Sequence, residues 1–106
     1  MQTIVIVLYP ERLEYPDADL RYTVADRMEI HTDGKIKSDG YDYLEQDQMA
    51  IYLQVEDART DYLCIVELFE KERFCENDLS KSAEIYISEQ EAAELTVCEK
   101  VFPQNV

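Results

Sequence analysis

Two glycines, three prolines, one histidine and no tryptophan occur among the 106 residues of this chain, and each scarcity closes off a class of chemistry. Gly34 and Gly40 are too few and too isolated for a glycine-rich loop, whose amides must reach a phosphate with no Cβ in the way. A single histidine leaves no His-Glu-x-x-His zinc site, and neither a Gly-x-Ser-x-Gly elbow nor a Cys-x-x-Cys pair is present. His31 closes a helical pattern, where the helix dipole favours a partly cationic imidazole, so its expected role is capping or packing. Cys64, Cys75 and Cys98 are spaced by eleven and twenty-three residues, which suits neither a disulfide framework nor a zinc site. They read as reduced thiols, Cys64 and Cys98 as small buried hydrophobes and Cys75 as the most exposed. No apolar run approaches the ~18 residues of a membrane span, and Ile4 to Leu8 is too short for a signal-peptide core. A soluble, cytoplasmic protein is expected.

Cations are the other scarcity. Ten Lys and Arg stand against 24 Asp and Glu, a net charge of -14. A nucleic-acid binder gains affinity by releasing counterions through Lys and Arg contacts, so that class is excluded. Asp39, Asp42, Glu45 and Asp47 supply oxygen ligands in one stretch, but their spacing is not that of a calcium loop and a strand would separate them. No metal, cofactor or catalytic residue is assigned, because no neighbour singles out one carboxylate as a general acid or base.

What is present is globular: 46% apolar residues, enough for one core and a single domain over residues 1–106. Thr3 to Leu8 is apolar on both faces, the mark of an interior strand. A helix capped by Asp17 or Asp19 comes next, with Leu20, Val24, Met28 and His31 at helical spacing, stopped by Asp33-Gly34. Lys35 to Tyr43 reads as a strand with a bulge at Gly40, Leu44 to Gln48 as a turn, and Met49 to Glu56 as a half-buried strand alternating Met49, Ile51, Leu53 and Val55 with Ala50, Tyr52, Gln54 and Glu56. Asp57 caps a helix from Ala58 to Cys75 that buries Tyr62, Ile65, Val66 and Phe69, widened by Leu63, Cys64 and Leu68, with Glu67/Lys71 and Glu70/Arg73 pairs outside. Asn77-Asp78 is a stop, Ala83 to Ser88 a strand, and Ser88-Glu89-Gln90-Glu91 a capping box opening a short helical turn. Thr96 to Phe102 is expected as a fifth, edge strand.

This order predicts an α+β domain: a ferredoxin-like β-α-β-β-α-β antiparallel sheet with both helices on one face and an extra C-terminal edge strand. The two most apolar strands, Thr3 to Leu8 and Met49 to Glu56, are expected to be adjacent, central and parallel. Tyr52 and Tyr86 then point to the face away from the helices, which is too apolar to stay open. The terminal segment, a second copy forming a homodimer, or a partner must cover it.

Ser38 to Ala58 holds six carboxylates and no cation, and Ser82 to Glu99 holds five and none. If the hairpin turn and the end of the fourth strand share one end of the sheet, Glu45, Asp47, Glu89 and Glu91 form one acidic pole that steers a basic partner. Tyrosine supplies amphipathic contact area at low entropy cost. The expected contact set is Asp42, Glu45, Asp47, Tyr41, Tyr43, Tyr52, Tyr86, Glu89 and Glu91. In size, acidity and one-domain build the chain resembles bacterial toxin-immunity proteins, which implies a non-enzymatic module that neutralises a basic protein. A dimeric regulatory or ligand-binding domain is the alternative, and a cofactor-free enzyme the third.

Overall fold

Branched side chains on both faces of Gln2–Leu8 (β1) put this strand at the middle of the sheet in the computed structural model, which describes residues 1–103. Along the chain come a helix at Leu20–His31 (α1), strands Lys37–Tyr43 (β2) and Met49–Val55 (β3), a helix at Ala58–Lys71 (α2), one helical turn at Leu79–Ser82 (α3), and strands Ala83–Ser88 (β4) and Glu99–Phe102 (β5). The strand order is β2-β3-β1-β4-β5. β1 and β3 are adjacent and interior, as their apolar content requires.

They run antiparallel, Leu8 opposite Met49 and Gln2 opposite Val55, not parallel as expected. A tight hairpin must reverse direction, so a β3 inserted beside β1 by the β2–β3 hairpin runs against it. β4 is likewise antiparallel to β1, with Leu8 opposite Ala83 and Thr3 opposite Ser88. β3 and β4 therefore run the same way on the two flanks of β1.

Both helices pack on one face. Ile4, Ile6 and Leu8 join Leu20, Val24 and Met28 of α1, Ile65, Leu68 and Phe69 of α2, and Ile51 and Leu53 of β3 in one core. The bulge falls where Gly40 allows it: the β2–β3 register shifts between Ser38 and Tyr41, and Gly40 has φ 91°. Asp57 caps α2 by accepting a hydrogen bond from the Thr60 amide. α2 nevertheless stops at Lys71, four residues early. Phe74 turns inward to meet Phe69 edge-on at 5.6 Å, through a tight turn in which Cys75 and Glu76 are left-handed and Asn77 donates to the Phe74 and Cys75 carbonyls. Arg73 consequently pairs with Glu14 rather than Glu70, whereas Glu67 and Lys71 pair as the helix spacing dictates. Leu63 and Cys64 face outward on α2, so Cys64 is the exposed thiol, while Cys75 and Cys98 are half-buried. Asp78 starts α3 by accepting from the Ser80 amide, a start signal where a stop was expected.

The chain covers its own second face. Val5, Val7 and Ala50 are buried there, flanked by Tyr52 and Tyr86 and overlaid by Leu95 and Cys98 from the segment after β4. That segment is not opened by a capping box. The Ser88 hydroxyl accepts from the Gln90 amide, and Thr3 pins the next residues, donating to the Gln90 carbonyl at 2.9 Å and accepting from the Ala93 amide at 3.1 Å. Thr3→Val keeps the shape and removes both bonds, leaving a buried amide unpaired. The expected loss is about 1 to 2 kcal/mol, read by denaturant titration, with amide exchange at Ala93 accelerated before that of β1.

Candidate functional site

The strand directions separate the residues expected to form one acidic pole. The hairpin turn precedes Met49, which lies opposite Leu8, whereas Glu89 and Glu91 come after Ser88, which lies opposite Thr3. Glu45 and Asp47 are thus at one end of the sheet and Glu89 and Glu91 at the other, about 17 Å away by the rise of a strand from Thr3 to Leu8. The physical reason is the crossover through α2, which sets β4 in the same direction as β3, so the start of β4 lies near the hairpin and not its end. Tyr52 and Tyr86 are also withdrawn: both are half-buried on the covered face. Of the nine expected contact residues, Tyr41, Asp42, Tyr43, Glu45 and Asp47 stay at the hairpin end, with Asp42 opposite Ala50 on the other face of the sheet from Tyr41 and Tyr43.

The loop between β1 and α1 meets two of them, Tyr43 and Asp47. A groove of about 420 Å³ opens between that loop and the hairpin, floored by Leu8, Leu13 and Met49 and bordered by Asp17, Tyr43 and Asp47. The turn is held by a 2.7 Å bond from the Leu44 amide to the Gln48 carbonyl, with Gln46 and Asp47 both left-handed. Among the described residues, Asp17, Asp19, Glu45 and Asp47 take part in no ion pair. Their charge is offset only in part at this end, by Arg21, whose guanidinium bonds to Ala18 and Tyr43.

Beside the groove lies an aromatic cluster. Tyr41 and Tyr43 share one face of β2, two residues apart, and Tyr22 of α1 meets Tyr41. The Tyr22 and Tyr41 rings are 5.7 Å apart and those of Tyr41 and Tyr43 6.0 Å, both pairs edge-to-face. All three are exposed, at 49, 41 and 45%. The Arg21 guanidinium lies 4.5 Å from the Tyr22 ring centre and 5.3 Å from that of Tyr41, and its Nη1 donates to the Ala18 carbonyl and the Tyr43 hydroxyl. The Tyr41 hydroxyl and then Arg21 lower the Tyr22 pKa, while Tyr22 raises that of Tyr41.

The free edge of β2 is blunted. The Ser38 amide donates to Glu29 and the Tyr43 amide to the Asp42 carboxylate, so two edge donors are already taken and an incoming strand would find them occupied. Contact at this edge falls to side chains.

A second polar cluster belongs to the covered face. Glu84, 7% exposed, accepts from the Tyr9 hydroxyl at 2.6 Å, the Tyr86 hydroxyl at 2.8 Å and Arg12 at 3.2 Å, with Lys100 at 3.4 Å. Burial pushes its pKa up, but these donors and the Lys100 charge outweigh it and bring the carboxyl down to about 2. Burial, then Glu84, raises both tyrosines above their ordinary value. Three hydrogen bonds and the Lys100 ion pair hold Glu84 in place, which makes it a structural anchor.

Sequence reasoning missed Asp17, Arg21, Tyr22 and Leu13. The stretch Glu11 to Pro16 carried only loop signals, and nothing in it states that it folds toward the hairpin. Comparison of the chain with protein-family models, with curated proteins and with solved structures found no match.

Proposed function

We propose that the protein is an acidic binding module for a basic protein partner, engaged through the end of the sheet formed by the β1–α1 loop and the β2–β3 hairpin. The observation that carries this reading is the convergence of unpaired carboxylates from two separate chain segments, Asp17 and Asp47, on one apolar-floored groove beside three exposed tyrosines. Single-sign charge with low-dielectric walls focuses the field and raises the encounter rate of a cationic protein. Tyrosine and an apolar floor supply the area that retains it.

A toxin-immunity or inhibitor role fits this build, and the strand order supports a ferredoxin-like unit extended by β5 on the β4 side. That architecture hosts many functions, so the reading rests on the site and not on the fold. Dimerisation through the sheet face is disfavoured by Leu95 and Cys98, which already lie across it.

Affinity capture on the immobilised protein, followed by titration of the purified captured protein, tests the reading. A basic partner whose affinity falls steeply between about 50 and 200 mM salt is expected. A partner that is not basic, or one indifferent to salt over this range, would refute it.

A further inference from the structure

We propose that the groove receives one long cationic side chain of the partner, arginine in preference to lysine, its stem along Leu13 and Met49 and its guanidinium between Asp17 and Asp47. This inference rests on the reading of a basic partner given above. The groove, at about 420 Å³, lies in the lower part of the range of clefts that enclose a small ligand. Its two kinds of lining have to be satisfied together. A purely apolar occupant would strip water from Asp17 and Asp47 and return nothing to them, and an anion would be repelled. A bare metal ion would face an apolar floor without oxygen ligands. A side chain with an aliphatic stem and a charged head matches both, since such residues lay their methylenes on apolar surface while the head stays polar.

Arginine is favoured over lysine for two reasons. Its guanidinium is planar, weakly hydrated and forked, so it pairs with carboxylates and stacks on an aromatic rim in one pose. Tyr43 provides that rim, and its neighbours already hold a guanidinium of the chain's own: Arg21 lies against Tyr22 and Tyr41. Arg21 also presets the groove. One nitrogen, Nη1, bonds to Ala18 on the loop wall at 2.8 Å and to Tyr43 on the hairpin wall at 3.1 Å. The walls are tied to each other while Asp17 and Asp47 stay free of ion pairs, Asp17 Oδ1 accepting only from the Asp19 amide at 2.9 Å, and a preformed receptor loses less on binding. Two carboxylates against one rim guanidinium leave the groove net negative.

The test uses the purified protein with n-butylguanidinium, n-butylammonium and n-butanol as probes, read by methyl NMR at Leu13 and Met49. Saturable shifts with butylguanidinium at millimolar concentration are expected, several-fold weaker binding of butylammonium, and no saturation with butanol. The double substitution Asp17→Asn, Asp47→Asn should weaken butylguanidinium binding by about tenfold, while Glu89→Asn, Glu91→Asn at the far end should leave it unchanged. All four positions are exposed, so the fold is retained. Absence of saturable shifts, equal binding of butanol, or an equal loss from the far-end pair would overturn the proposal. Binding of butylguanidinium without any basic partner would sustain the groove and remove the function, whereas a basic partner weakened by Asp17→Asn, Asp47→Asn together with no saturable butylguanidinium shift would sustain the function and remove the arginine pocket.

Discussion

Glu84→Ala is expected to cost about 3 kcal/mol of folding stability. Bringing a carboxyl from an ordinary value near 4.3 down to about 2 corresponds to roughly this much, at about 1.4 kcal/mol for each tenfold change in proton affinity. The folded-state pKa is depressed, so the contribution is present above the unfolded value and disappears as the pH falls from about 5 toward 2. Thermal or urea unfolding from pH 7 to 2.5 should show the wild type converging on Glu84→Ala at the acid end. Glu84→Gln keeps an acceptor for Tyr9 and Tyr86 but surrenders the charge that holds Arg12 and Lys100, and should fall between the two. Tyr9 and Tyr86 have the opposite sign. Their raised values mean that their contribution persists below about pH 10 and is lost as the pH climbs above it.

Tyr43→Ala should weaken partner binding by about 2 kcal/mol, close to thirtyfold, mainly through faster dissociation. Three things leave together: the rim of the groove, the outer ring of the Tyr22–Tyr41–Tyr43 stack, and the hydroxyl that accepts from Arg21. At 45% exposure the ring contributes little to folding, so a binding loss without a matching stability loss separates contact from scaffold. Leu63→Ala is the control. Leu63 is 55% exposed on α2 and belongs to no wall of the groove, so its truncation should leave the dissociation rate unchanged. Surface-plasmon or stopped-flow dissociation measurements on the two variants decide the point.

The fold was legible where period and composition spoke with one voice. Thr3 to Leu8, apolar on both faces, had to be interior, and the Met49 to Val55 alternation named the residues that meet the helices. Gly40 could be placed at a bulge because the phases of Ile36 and Tyr41 conflict. The end of α2 was not legible. Helix spacing continues through Phe74, and only the burial of Asn77 against the Tyr15, Phe74 and Cys75 backbone explains why the chain turns at Lys71. Strand direction was the costly miss. Charge density along the sequence identified acidic stretches correctly, but which of them meet depends on strand direction, and the order of elements already carries it: the β2–β3 hairpin reverses the chain beside β1, and the crossover through α2 returns β4 in the direction of β3. Tyr41 and Tyr43 were found from the hairpin itself. Their partners Tyr22 and Arg21 were not, since on α1 they occupy ordinary outward positions.

That same geometry supplies the sharpest test of the central claim, that a basic partner is steered to the hairpin end. Two variants carry identical charge changes at opposite ends of the sheet: Asp17→Lys, Asp47→Lys, and Glu89→Lys, Glu91→Lys. The measurement is the association rate constant of the purified partner with each, from about 50 to 200 mM salt. Steering to the hairpin end predicts that the first variant associates at least tenfold more slowly than wild type at low salt, with a flattened salt dependence, while the second stays within about twofold. Equal slowing by both would show that only net charge matters, and the docking surface assigned to Asp17, Tyr43 and Asp47 would be wrong.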